Sequence, residues 1–195
     1  MSPEQALSLA CAAGVRFFQY RSKQGSRREI YETALRLVRI ARESGALFIV
    51  NDHADIAAAV EADGVHLGQN DLPIEAARRV LRPGRLIGIS THSREQAVAA
   101  QKAGADYIGF GPLFHTATKD AGAAQGLERL ADIIAAASIP VIAIGGITPD
   151  RVGSVLSAGA RGAAVINAIC AAVDIRAASA EMIAAMQSAD NRRKP

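Results

Sequence analysis

The sequence predicts an α/β fold of the (β/α)8 TIM-barrel type, in a single domain over residues 1–195, and three observations carry that expectation. Short apolar runs recur along the chain: Arg16 to Tyr20, Leu47 to Val50, Gly64 to Leu67, Leu86 to Ile89, Tyr107 to Phe110, Val141 to Ile144 and Ala163 to Ile166. They are apolar on both faces and alternate with stretches of helical spacing, the pattern of a parallel sheet covered by helices. No GxGxxG follows the first run, as an open dinucleotide-binding sheet would carry, whereas Gly145 and Gly146 follow Val141 to Ile144, where barrels often bind phosphate.

The helices have readable starts and stops. Ser2, Pro3 and Gln5 give an N-cap, a first-turn proline and the partner of a capping box. Ser26 with Glu29 and Ser93 with Gln96 repeat the box, and Thr148 precedes Pro149 at another first turn. Gly14, Gly45, Gly64, Gly104 and Gly159 are the expected stops. The apolar stretch Ala6 to Val15 has the length of a signal-peptide core, but Glu4 and the lack of Lys or Arg before it argue against export. No apolar run approaches the roughly 20 residues that span a bilayer, so a soluble, cytoplasmic protein is expected. Seven runs fall one short of a closed barrel. The expectation is that a first strand lies upstream of Met1; the alternatives are an edge supplied by a partner chain and a barrel that stays open.

Half of the 195 residues are hydrophobic and 4% aromatic, enough for one core built from Ala, Val, Ile and Leu. With 21% charged residues and a net charge of +3, the chain is too apolar to be disordered and lacks the clustered basic face of a nucleic-acid binder. Small anionic ligands remain. Cys11 and Cys170 form no CxxC pair and are too few to staple a secreted fold, so both are expected as buried free thiols in a reducing cytosol.

In a barrel of this type the site lies at the C-terminal strand ends, and polar residues collect there. Gln19, Arg21 and Lys23 are spaced by two, so an extended strand turns them toward one anion, with a guanidinium fork and a point charge. Asp52 and Asp71 end neighbouring runs; each alone is accounted for as a helix cap, but together beside Arg21, Lys23 and Lys119 they suit a Mg²⁺ that bridges to a diphosphate. Gly145, Gly146 and Ile147 lead into a helix N-terminus whose N–H groups suit a phosphate. Gly111 to Lys119 reads as a loop fit for a second anionic group or a lid. His53, His66, His92 and His115 show no metal-ligand spacing and no nucleophile partner, and are read as structural or peripheral.

These residues also resemble a known family. QYRSK at 19–23, VND at 50–52, DGVHLGQNDLP at 63–73, IGIS at 87–90, DYIGFGPLFHTATK at 106–119 and AIGGI at 143–147 together are similar to thiamine-phosphate synthases. The resemblance implies condensation of 4-amino-5-hydroxymethyl-2-methylpyrimidine diphosphate with a thiazole phosphate or its carboxylated tautomer, by a dissociative alkyl transfer that releases diphosphate. It implies that Gln19, Tyr20, Arg21, Ser22, Lys23, Asn51, Ser90 and Lys119 hold the pyrimidine diphosphate, with Arg21, Lys23, Lys119 and Ser90 in catalytic roles. Asp52 and Asp71 would carry Mg²⁺, and Thr116, Ala117, Thr118, Gly146, Ile166 and Asn167 the thiazole phosphate. Asn167 stands where the family usually has serine. The implied partners are these two small molecules, without nucleic acid or membrane; a homo-oligomer is compatible with the pattern. Two rival readings are a thiazole tautomerase, against which Arg21, Lys23, Asn51, Asp52 and Asp71 speak, and a binding module without turnover.

Overall fold

The computed structural model describes residues 1–115 and 122–191. Among them, seven strands lie parallel in one sheet in sequence order: β1 (Phe17–Tyr20), β2 (Leu47–Asn51), β3 (Gly64–Leu67), β4 (Leu86–Thr91), β5 (Tyr107–Phe110), β6 (Val141–Ile144) and β7 (Gly162–Ala164). The helices are α1 (Pro3–Ala12), α2 (Arg27–Glu43), α3 (Ala54–Ala59), α4 (Ile74–Val80), α5 (Arg94–Lys102), α6 (Gly126–Ala136), α7 (Pro149–Ser157), α8 (Asn167–Cys170) and α9 (Ile175–Asn191). None is long and apolar enough to cross a membrane.

The sheet curls, and side-chain contacts measure how far. β1 and β5 stand four strands apart, about 19 Å in a flat sheet. Yet the rings of Phe17 on β1 and Tyr107 on β5 meet edge to face with centroids 5.8 Å apart. The result is a TIM-barrel-like bowl.

Strand alternation then sorts the side chains. Phe48, Val50, Val65, Leu67, Ile87, Ile108 and Phe110 face outward and form the main core with the helices. The intervening positions face the bowl. Register aligns Asn51 with His66, His66 with Gly88 and Gly88 with Tyr107, so a polar row crosses the concave side. Glycines on that side make close approach possible. A Cβ on Gly64 would sit 2.1 Å from the Leu86 carbonyl oxygen, and one on Gly88 would sit 2.0 Å from Tyr107 Cζ.

Most helix ends follow the sequence, and the departures have local causes. The capping boxes at Ser2 and Ser26 form in full. At Ser93 only half of the box forms, because the Gln96 side chain accepts instead from the His92 N–H. Gly14, Gly45, Gly104 and Gly159 end helices at positive φ, but Gly64 opens β3, where only the absence of a side chain lets β4 pass. The last strand, expected from Ala163 to Ile166, is Gly162–Ala164, which leaves Val165 and Ile166 to the turn before α8. Both cysteines are free, but Cys170 is exposed, since the four-residue α8 buries none of its side chains.

Among the described residues, β1 and β7 are each paired on one side only. The helical layer is continuous over the same region, because α1 packs on both α2 and α9, and α9 on α7.

Gly64→Ala places a methyl against backbone that cannot rotate away, so we expect a loss of about 1–3 kcal/mol. Urea denaturation checks this; an unchanged midpoint would show that β3 and β4 can separate without cost.

Candidate functional site

The C-terminal ends of β1, β2, β3 and β4 bring most of the expected residues to one rim of the bowl. Gln19 projects inward from β1, whereas the Tyr20 ring packs on the outer core, leaving its backbone to any ligand. Arg21, Ser22 and Lys23 follow in the turn beyond β1. Asn51, 7% exposed, ends β2.

Asp52 adopts φ of 66°, in the left-handed region that residues other than glycine seldom enter. The His53 N–H donates to the Asn51 carbonyl at 2.9 Å, closing a γ-turn around Asp52, and the Asp52 N–H donates to the His66 carbonyl at 2.8 Å. Strain of this kind persists only where the surroundings hold it. Its consequence is direction: the Asp52 side chain hydrogen-bonds Asp71 from the neighbouring strand end. Burial, and then the Asp71 carboxylate, raise the Asp52 pKa, while Arg21 opposes the shift. Asp71 is itself held by the Gly68 N–H, 2.6 Å from its Oδ2.

Neither carboxylate caps a helix. His53 and Pro73 take the N-cap positions of α3 and α4, and no side chain caps either helix. Two carboxylates forced together, with a cationic side chain beside them and waters able to reach them, match the few-carboxylate sites in which Mg²⁺ also takes substrate phosphates. Among the described residues no cluster of three His, Cys, Asp or Glu offers an all-protein metal site. The donor set therefore fits Mg²⁺ held jointly with a phosphorylated ligand.

Deeper in the bowl lies a group that the sequence did not single out. His66 Nδ1 is 3.0 Å from the Tyr107 hydroxyl, and Nε2 is 2.9 Å from Ser90 Oγ. Burial pulls the His66 pKa down to about 4, so its ring is neutral at pH 7. Burial likewise raises that of Tyr107, against a hydrogen bond from Gln19. Of the two readings of His66, structural or peripheral, the structure supports the first, since the ring is buried with both nitrogens partnered, and one of its partners is Ser90. His92 is structural, donating from Nδ1 to the Gly111 carbonyl at 2.9 Å. The available signal was a polar residue inside an otherwise apolar strand, opposite glycines at Gly88 and Gly109.

On the far rim, the Gly145–Gly146 turn is laced to the segment after β5. The Leu113 N–H donates to the Ile144 carbonyl at 2.9 Å and the Phe114 N–H to the Gly145 carbonyl at 3.0 Å. Gly146 has φ of 64°, and a Cβ there would lie 2.6 Å from the His115 carbonyl oxygen. Arg151 ties the turn to α7, donating to the Gly146 carbonyl at 2.9 Å while stacking 5.0 Å over Phe114. Ile166 precedes α8 and Asn167 begins it. Thr116, Ala117, Thr118 and Lys119 lie outside the described residues.

A curled parallel sheet with an acidic pair, cations and a glycine turn at its C-terminal rim defines a barrel-type enzyme for phosphorylated small molecules. A sequence model of the family described as thiamine monophosphate synthase matches residues 2–169, and the chain belongs to that family. It is 45% identical over 188 residues to the thiamine-phosphate synthase of Chlorobium luteolum, covering 96% of this chain and 89% of that protein. It is 46% identical over 171 residues to the one from Moorella thermoacetica, covering 87% and 81%. The solved thiamine phosphate pyrophosphorylase from Pyrococcus furiosus superposes with a TM-score of 0.90 at 41% identity, over 96% of this chain and 91% of that one. The protein is an enzyme of thiamine biosynthesis.

The acidic pair has a signature in pH. A carboxyl with a raised pKa in the folded state stabilises the fold at low pH and loses that contribution as pH climbs through the folded value. In the metal-free protein the contribution of Asp52 is therefore expected to fall as pH rises and it ionises beside Asp71. Asp52→Asn should remove that part of the decline and raise Tm at neutral pH. Parallel Tm-versus-pH curves for the two proteins would contradict the pairing.

Proposed function

We propose that this chain condenses the diphosphate of 4-amino-5-hydroxymethyl-2-methylpyrimidine with a thiazole phosphate, or its carboxylated tautomer, to give thiamine phosphate and diphosphate. The bond from the pyrimidine methylene to the diphosphate oxygen breaks, and the thiazole nitrogen supplies the electron pair of the new carbon–nitrogen bond. The observation that carries this reading is the Asp52–Asp71 pair with Arg21 beside it. A thiazole tautomerase needs neither the pair nor the cations.

The chemistry asks for stabilisation of a departing diphosphate rather than for a side-chain nucleophile. Arg21, Lys23 and Lys119 neutralise the growing charge, while Gln19, the Tyr20 backbone, Ser22, Asn51 and Ser90 orient the pyrimidine diphosphate. Asp52 and Asp71 would hold Mg²⁺, which would supply further positive charge to the departing diphosphate. Thr116, Ala117, Thr118, Gly146, Ile166 and Asn167 take the thiazole phosphate, with Asn167 contributing through its backbone N–H. Holding both partners in line supplies much of the remaining acceleration. We assign the enzyme to the cytoplasm, in keeping with two unpaired cysteines, one of them exposed.

The competent form in this reading is a closed eight-stranded barrel. The unpaired edges of β1 and β7, the 41% exposure of Phe17 inside the bowl, and the unbroken helical layer above favour one further strand between them.

The test is thiamine phosphate formation from the two substrates, with and without Mg²⁺. We expect product only with the metal, and its loss in Asp52→Ala without a fall in Tm. Metal-independent turnover, or wild-type rates in Asp52→Ala, would refute the assignment.

A further inference from the structure

The proposed chemistry leaves two buried polar side chains unused: His66 and Tyr107, each 7% exposed. Such groups need partners, and theirs form a single line. The Gln19 amide hydrogen-bonds the Tyr107 hydroxyl. That hydroxyl lies 3.0 Å from His66 Nδ1, and His66 Nε2 lies 2.9 Å from Ser90 Oγ. The line crosses from β1 to β5, β3 and β4, and both ends are residues assigned to the pyrimidine diphosphate.

The backbone makes room for it. A Cβ on Gly88 would fall 2.0 Å from Tyr107 Cζ, and one on Gly109 would fall 3.1 Å from His66 Cε1. Side chains on either strand would fill the space that the two rings occupy. Phe17 fixes the phenol edge to face from across the bowl.

A line through a phenol and a neutral imidazole has two proton orders. In the first, Gln19 donates to Tyr107, Tyr107 donates to Nδ1, and Nε2–H donates to Ser90 Oγ. Ser90 then accepts from within and keeps its own proton for the pocket. In the second, every bond reverses, and Ser90 spends its proton on His66 and shows the pocket only a lone pair. A phenol hydroxyl is a stronger donor and a weaker acceptor than an alkyl hydroxyl, so with His66 held between Tyr107 at 3.0 Å and Ser90 at 2.9 Å the phenol donates to Nδ1, which selects the first order.

We propose that Tyr107 and His66 are positioning residues that hold His66 as its Nε2–H tautomer and so present Ser90 as a hydrogen-bond donor to a lone pair of the bound pyrimidine diphosphate. This rests on the substrate assignment above. A serine turned the other way would repel the acceptor it should hold.

Two measurements test it. Nitrogen NMR of the substrate-free protein should show a neutral His66 protonated at Nε2; a proton on Nδ1 overturns the order. Tyr107→Phe keeps the ring and its packing but removes the hydroxyl. It should lower kcat about 10- to 100-fold, with KM for the thiazole phosphate and Tm near wild type. Adding Tyr107→Phe to Ser90→Ala should cost nothing further, because the line acts through Ser90. Wild-type kcat in Tyr107→Phe, or losses that multiply in the double variant, overturn the proposal. The NMR readout needs no turnover, so an inactive wild-type protein with its proton on Nε2 sinks the synthase reading while upholding the proton order.

Discussion

A parallel sheet covered by helices on one face must do something with the other, and here the solution depends on how close opposite strands can come. Tyr107 reaches Phe17 across four strand spacings, which requires tight curvature. Tight curvature in turn requires that some inward positions carry no side chain. Gly64, Gly88 and Gly109 meet that need on three successive strands, β3, β4 and β5. A methyl at any of them would push on backbone or on a ring that has no other place to go. The bowl therefore exists because its floor alternates large polar groups with none at all.

The rim obeys a different constraint. Burial, and then the neighbouring Asp71, disfavour the ionised form of Asp52, a cost visible in its raised pKa. The γ-turn around Asp52 adds backbone strain to that cost. Nothing in the packing of α3 or α4 needs either arrangement, since neither aspartate caps a helix. Two unfavourable features at one place, neither needed to start a helix, are the cost that the proposed cation site would carry.

Much of this was readable from the residues. The apolar runs gave all seven strands, and three of them, Gly64–Leu67, Tyr107–Phe110 and Val141–Ile144, to the residue. The boxes at Ser2 and Ser26 were readable because capping depends on neighbours three residues apart. Gly64 misled because a glycine looks the same whether it ends a helix or lets another strand pass; only the Leu86 carbonyl, 22 residues on, distinguishes the two. His66 was passed over for a similar reason. Its partners Ser90 and Tyr107 lie 24 and 41 residues away, and no local spacing encodes a contact made by curvature.

Charge and depth separate in this site, and the separation follows from solvation. The side chains able to carry charge, Arg21, Lys23, Asp52 and Asp71, sit in turns beyond the strand ends rather than within the bowl. Below them the buried groups are neutral: an imidazole pulled down to about 4, a phenol pushed up, an amide and a hydroxyl. An ionised side chain at that depth would need a partner of opposite charge to offset its desolvation, and that partner would compete for the substrate. Neutral dipoles avoid this. They fix an orientation through hydrogen bonds without offering an anion that a reactive pyrimidine cation would attack. In the proposed reaction, strong charge at the rim would act on the departing diphosphate, while the floor would hold the other half of the substrate still.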